Sequence, residues 1–103
     1  MAEKSFMEVL KEETPDVSEA FFTMARAIES VGGLDSKTFQ LVYIAIKASN
    51  GETGAVVTHT GYAKKAGATR EEVRGAILVT MMTSGVSGIR ACLIAALEAY
   101  DNA

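Results

Sequence analysis

Apolar residues recur along this chain at intervals of three and four, and nowhere do apolar and polar positions alternate for long, so the pattern predicts helices and no strands. Phe6, Val9 and Leu10 mark a short N-terminal helix. Thr14-Pro15 opens a second, since threonine caps and proline suits the first helical position. Its stripe is Phe21, Met24, Ala25 and Ile28, and Gly32-Gly33 stops it. Asp35 or Ser36 caps a third helix with Phe39, Val42, Tyr43 and Ile46 among its apolar positions, ending at Ser49-Asn50-Gly51. A fourth helix spans about 52–66 and ends at Gly67, a glycine where helices commonly terminate. Thr69-Arg70-Glu71-Glu72 reads as a capping box opening a fifth helix that sends Val73, Ile77, Leu78 and Met81 inward. Gly85 to Gly88 is read as a turn, and Ile89 to Ala99 as the sixth helix. No repeat, linker or low-complexity tract interrupts the series. The expectation is an all-α bundle of about six helices, forming one domain over residues 1–103.

Charge and composition narrow the partners. A chain of 103 residues is of single-domain size, and 49% apolar content is well above what a disordered chain carries. The net charge of -3 leaves no basic stripe to neutralise phosphates, and the pair Lys64-Lys65 reads as a solvated helix face, so no nucleic-acid partner is expected. From Gly75 to Leu97 the only charged residue is Arg90, a length close to that of a membrane span. The cluster of Thr80, Thr83, Ser84, Gly85, Ser87 and Gly88 in its middle favours two buried helices meeting at a turn, and therefore no membrane association. One small domain has difficulty covering two nearly uncharged helices, which predicts a homo-oligomer assembled through these C-terminal helices. The opening MAEKSFMEVLKEE has four acidic residues and no apolar run, so no signal peptide is expected and the predicted location is cytoplasmic.

Cys92 is the single cysteine, which excludes an intrachain disulfide and any CxxC redox or zinc motif. It lies in an apolar run and reads as a small buried hydrophobe. His59 is the single histidine, mid-helix, with Ala55 and Ala63 four residues to either side and Ala66 nearby on what reads as the inward face. Two readings stand open: a core residue hydrogen-bonded to a carbonyl, or a general acid/base in a pocket. Gln40, on the preceding helix, can reach His59 as a hydrogen-bond partner, or simply pack there. Glu52 is seven residues before His59, a rise of about 10 Å along a helix, so the two can line one pocket without touching. Alternatively Glu52 acts only as a carboxylate favourable in a first helical turn. Arg90, in the last helix, is a candidate for holding an anion, or else an inter-subunit hydrogen-bond or ion-pair partner.

Three segments together resemble the carboxymuconolactone decarboxylase family, which includes the alkyl hydroperoxidase D-like proteins. They are Leu34-Asp35-Ser36-Lys37-Thr38-Phe39-Gln40-Leu41-Val42, then Thr58-His59-Thr60 with Ala63, then Ala66-Gly67-Ala68-Thr69-Arg70-Glu71-Glu72-Val73. The resemblance covers roughly residues 20 to 100 and implies an all-α fold assembled as a trimer or hexamer. The redox branch of that family carries a glutamate in the first segment and CxxCxxxH around the histidine. Here Gln40 stands at the glutamate position and Glu52 and Ala55 at the two cysteine positions, so only His59 remains. A disulfide-forming peroxidase needs an attacking thiolate and a resolving thiol, so peroxidase activity is not expected.

The decarboxylase branch has no cysteine pair and uses neither metal nor organic cofactor, and its resemblance implies acid/base chemistry on a carboxylated lactone. Two functions follow as expectations. One is cofactor-free acid/base chemistry on a small carboxylated or polar molecule, with His59, Gln40 and Glu52 at the site. The other is a non-catalytic oligomeric scaffold or small-ligand binder that kept the fold and lost the chemistry.

Overall fold

The computed structural model describes residues 3–103. Six helices follow in order: α1 Phe6–Glu13, α2 Pro15–Ser30, α3 Ser36–Ser49, α4 Thr53–Lys65, α5 Arg70–Thr83 and α6 Ser87–Asn102. The all-α class expected from the apolar spacing is what the chain adopts, and no strand occurs among the described residues. None of the helices is long and apolar enough to cross a membrane. The chain divides into an N-terminal unit ending at Gly33 and a larger unit, Leu34–Ala103.

In the N-terminal unit α1 and α2 pack as a pair. Ser5 caps α1 through a bond to the Glu8 amide, and Pro15 occupies the first turn of α2. Thr14 does not cap α2 with its side chain; its hydroxyl donates to the Leu10 carbonyl at 2.9 Å, closing the end of α1 instead. The helix junction is a single residue, and an orphan carbonyl behind it competes for the hydroxyl. The expected stripe of Phe21, Met24 and Ile28 is exposed, and Ser18 is the buried residue of α2.

The larger unit is a ring of four helices in which α3 packs on α4 and α5, and α6 packs on the same two from the opposite side. Ile44 and Ala48 of α3, Val56 and Ala63 of α4, Val73 and Ile77 of α5, and Cys92 and Ala96 of α6 form the core, with Ala68 beneath one end. Buried Thr60 and Thr80 return their hydroxyls to their own helices, on Val56 O at 2.8 Å and Ile77 O at 2.7 Å, so neither leaves an orphan group in the core.

The helix ends follow local chemistry. Asp35 caps α3 by accepting the Thr38 amide at 2.7 Å. At the end of α4, Gly67 adopts φ +97°, a left-handed conformation open to glycine. That lets the Ala68 amide reach Ala63 O at 2.9 Å and the Gly67 amide reach Lys64 O at 3.0 Å, satisfying two terminal carbonyls. Thr69 and Glu72 form the expected reciprocal box at the start of α5.

Several inward faces differ from the expected ones. On α3 the buried pair is Ile44 and Ala48, while Val42 and Ile46 are exposed. On α5, Val73 and Ile77 point inward as expected, but Leu78 and Met81 do not. The segment read as a turn through Gly88 is shorter: α6 begins at Ser87, and Gly88 is a buried residue of its first turn. Gly88 has no side chain to register in an apolar pattern, so its role as a contact point was invisible to periodicity.

Charged pairs tie the rim of this unit together. Lys37 of α3 meets Glu72 of α5 at 2.9 Å, and Arg70 of α5 meets Asp101 of α6 at 2.9 Å. The Thr69 amide, with Lys37 behind it, holds the Glu72 carboxyl below its ordinary value. The Thr38 amide does the same for Asp35, and Arg70 does so for Asp101. A carboxyl depressed in the folded state adds stability that is present above its unfolded pKa and is lost as pH falls through the folded one. The melting temperature should therefore fall as pH drops below the ordinary carboxylate range, from about 4.5 downward. Glu72→Gln should flatten that slope; thermal melts across the acid range check it, and an unchanged slope would contradict the assignment.

Candidate functional site

α4 is short of large apolar residues, and its inward line is Val56, Thr60 and Ala63, spaced four and three apart. His59 precedes Thr60, so it projects from the flank of the helix rather than from its buried line. Ala63 of the expected inward face is buried, but His59 lies about 65° around the helix from the centre of that buried line. His59 is half-buried.

Gln40 meets it from α3. The side-chain oxygen of Gln40 lies 2.8 Å from His59 Nδ1, the contact anticipated from the sequence. An amide oxygen accepts, so this bond puts the ring proton on Nδ1 and the ring's lone pair on Nε2. Two aromatic rings also flank the imidazole. Tyr43 is stacked on the imidazole with centroids 3.7 Å apart and planes inclined by 19°. Tyr62 approaches edge-on at 5.0 Å and 84°. Neither was singled out for the site from sequence, where Tyr43 read as one more apolar position. The available signal was spacing: Tyr43 is one turn beyond Gln40, and Tyr62 one turn beyond His59. Tyr62 also lines a shallow surface depression of about 430 Å³ with Thr58, Gly61, Lys64, Lys65 and Ala103.

Glu52 occupies the N-cap position of α4 but makes no side-chain capping bond. Its carboxylate is turned to Lys47, with both oxygens 3.2 Å from Nζ. Lys47 in turn lies 5.7 Å from the Tyr43 ring centre. Glu52 is thus joined to the Tyr43–His59 stack through Lys47, an arrangement that the distance along α4 did not suggest. Arg90 is exposed in the first turn of α6.

Cys92 is fully buried, with Sγ 3.8 Å from Thr53 Oγ1. Thr53 Oγ1 also donates to Ala91 O at 3.1 Å. A thiol walled into the core cannot meet peroxide or a reductant without local opening. Cys92 should therefore stay unlabelled by a bulky disulfide reagent in the native protein and react fully in denaturant. Rapid native labelling would overturn that placement.

What the arrangement offers chemically is a tautomer-fixed imidazole between two tyrosines, with a carboxylate–ammonium pair behind one of them. No curated protein matches the chain. The family model of the carboxymuconolactone decarboxylase family matches residues 15–98, which takes in all of α2 to α5, most of α6, and each residue of the site. The chain has no CxxC pair, since Cys92 is its sole cysteine. With a match over most of its length, the chain belongs to the carboxymuconolactone decarboxylase family.

Proposed function

We propose that this protein performs cofactor-free acid/base chemistry on a small carboxylated or polar organic molecule, with His59 as the proton-transfer group. The observation that carries this reading is the 2.8 Å bond between Gln40 and His59 Nδ1. It fixes the tautomer, so Nε2 is the atom that takes a proton from the substrate in one step and returns it in another. Gln40, being uncharged, orients the ring without the added basicity a carboxylate would give. Glu52 acts at the margin of the site by holding Lys47. Lys65, in the depression walled partly by Tyr62, offers a cation for a substrate carboxylate. The experiment is turnover of a carboxylated lactone by the metal-free protein, followed by loss of carboxylate and by the shift of the His59 ring signals on adding substrate. Neither turnover nor a shift at saturating substrate would sink the reading.

The second reading, a non-catalytic oligomeric scaffold or ligand binder, draws on the missing thiol pair and on the exposed apolar side chains of residues 75–97. Both readings include assembly as a homo-trimer or homo-hexamer in the cytoplasm. Met82 is 88% exposed and Ile94 73%, and Val79 and Val86 are also exposed, more apolar surface than one small unit usually leaves in water. Light scattering should give three or six copies at micromolar protein, and Met82→Lys or Ile94→Lys should lower that number. A stable monomer of the parent would remove the claim.

A further inference from the structure

We infer that Tyr43 is a positioning residue for His59, clamping the imidazole plane and favouring its protonated form. Gln40 and Tyr43 are three residues apart on α3 and meet His59 as a pair. The bond to Gln40 fixes Nδ1 at 2.8 Å. The Tyr43 ring lying parallel at 3.7 Å restrains the imidazole plane, and Tyr62 edge-on at 5.0 Å restrains it from another direction. The face of a tyrosine ring also carries negative charge density, so an imidazolium over it is attracted more than a neutral imidazole.

The charged groups on the helices of the larger unit form the background for this effect. On α3, Lys47 shares the Tyr43 ring at 5.7 Å and would weaken the attraction, but Glu52 pairs with it at 3.2 Å. On α4, Lys64 is held by Tyr100 O at 2.8 Å, and Lys65 is exposed. On α6, Tyr100 donates to Ala68 O, Asp101 pairs with Arg70, and Arg90 and Glu98 are exposed. On α5, Glu72 pairs with Lys37, and Glu71 and Arg74 are exposed. Tyr43 is thus the group in parallel ring contact with the imidazole, and Lys47–Glu52 is the ion pair that the contacts bring up to Tyr43.

The inference rests on His59 as the proton-transfer group of the proposed chemistry, but its test reads the histidine itself and needs no turnover. The His59 ring signals of the full chain are followed by NMR between about pH 5 and 8 in the parent, Tyr43→Phe and Tyr43→Leu. The parent and the phenylalanine variant should show ring protons displaced upfield by stacking, one dominant Nδ1–H tautomer and the same titration midpoint. The leucine variant should lose the displacement, mix the tautomers, and titrate about half a pH unit lower. A leucine variant with the parent's midpoint and tautomer would overturn the inference, and so would a phenylalanine variant that behaves like leucine. If the leucine variant does not fold, the parent decides: upfield ring protons support the clamp, and random-coil positions remove it.

Discussion

Gly88→Ala should destabilise the protein by about 1–3 kcal/mol, although alanine is the better helix former. A Cβ built on Gly88 would lie 2.5 Å from Ala48 O, 3.0 Å from the Ala48 carbonyl carbon and 3.1 Å from Thr80 Oγ1. The first two are backbone atoms of α3, so they can give way only if a helix moves. Here α6 lies against the backbone of α3, its facing partner in the ring. Gly54 and Gly75 are also helical, and a Cβ on either meets nothing within 4 Å. Alanine there should stabilise by about 0.4–1 kcal/mol, chiefly by narrowing the unfolded ensemble. The opposite signs make thermal denaturation of the three variants a sharp test. For a domain of this size each kcal/mol moves the midpoint by about 4–8 °C. A Gly88→Ala protein as stable as the parent would mean that α6 lies farther from α3 than the structure has it.

His59→Asn should reduce turnover of the proposed substrate by about 10²–10⁴-fold, the usual contribution of a positioned acid/base group. Asparagine keeps a polar side chain near Gln40 but cannot exchange a proton at working pH. Because His59 sits on the flank of α4 and is half-buried, its loss should leave the melting temperature close to that of the parent. Gln40→Leu deprives Nδ1 of its acceptor and should give a smaller loss of rate, with the ring no longer held in one tautomer. Gln40→Glu would restore a hydrogen bond and add a charge, moving the pH optimum upward because a neighbouring carboxylate favours the imidazolium. If His59→Asn melts the fold, or keeps the parent's rate, the acid/base role is wrong.

The element list was legible because helix ends carry strong local signals. Pro15, Asp35, Gly67 and the Thr69–Glu72 box each stand where their backbone chemistry requires. Faces were harder to read. α3 is apolar on several sides, so Val42 and Ile46 looked as eligible for the core as Ile44. α4, with glycines, threonines and alanines, gives a weak periodic signal, and its inward line was read through His59 and Ala63 where it runs through Val56, Thr60 and Ala63. The core it builds includes a threonine, which periodicity counts as polar but which satisfies itself on its own helix.

At the site, the sequence by itself determined which residue types were present and which were missing. A single histidine, a glutamine one helix earlier and the absence of paired thiols follow from identity and spacing alone. Only the tertiary structure decided how they meet. Contacts between helices depend on the rotation of each helix about its axis, and that rotation is set by the packing of Ile44, Ala48, Val56 and Ile77 against one another rather than by any local signal. That packing brings Gln40 and Tyr43 together on His59 while turning Glu52 to Lys47. It also sets Gly88, a residue without a side chain, against the Ala48 backbone of α3.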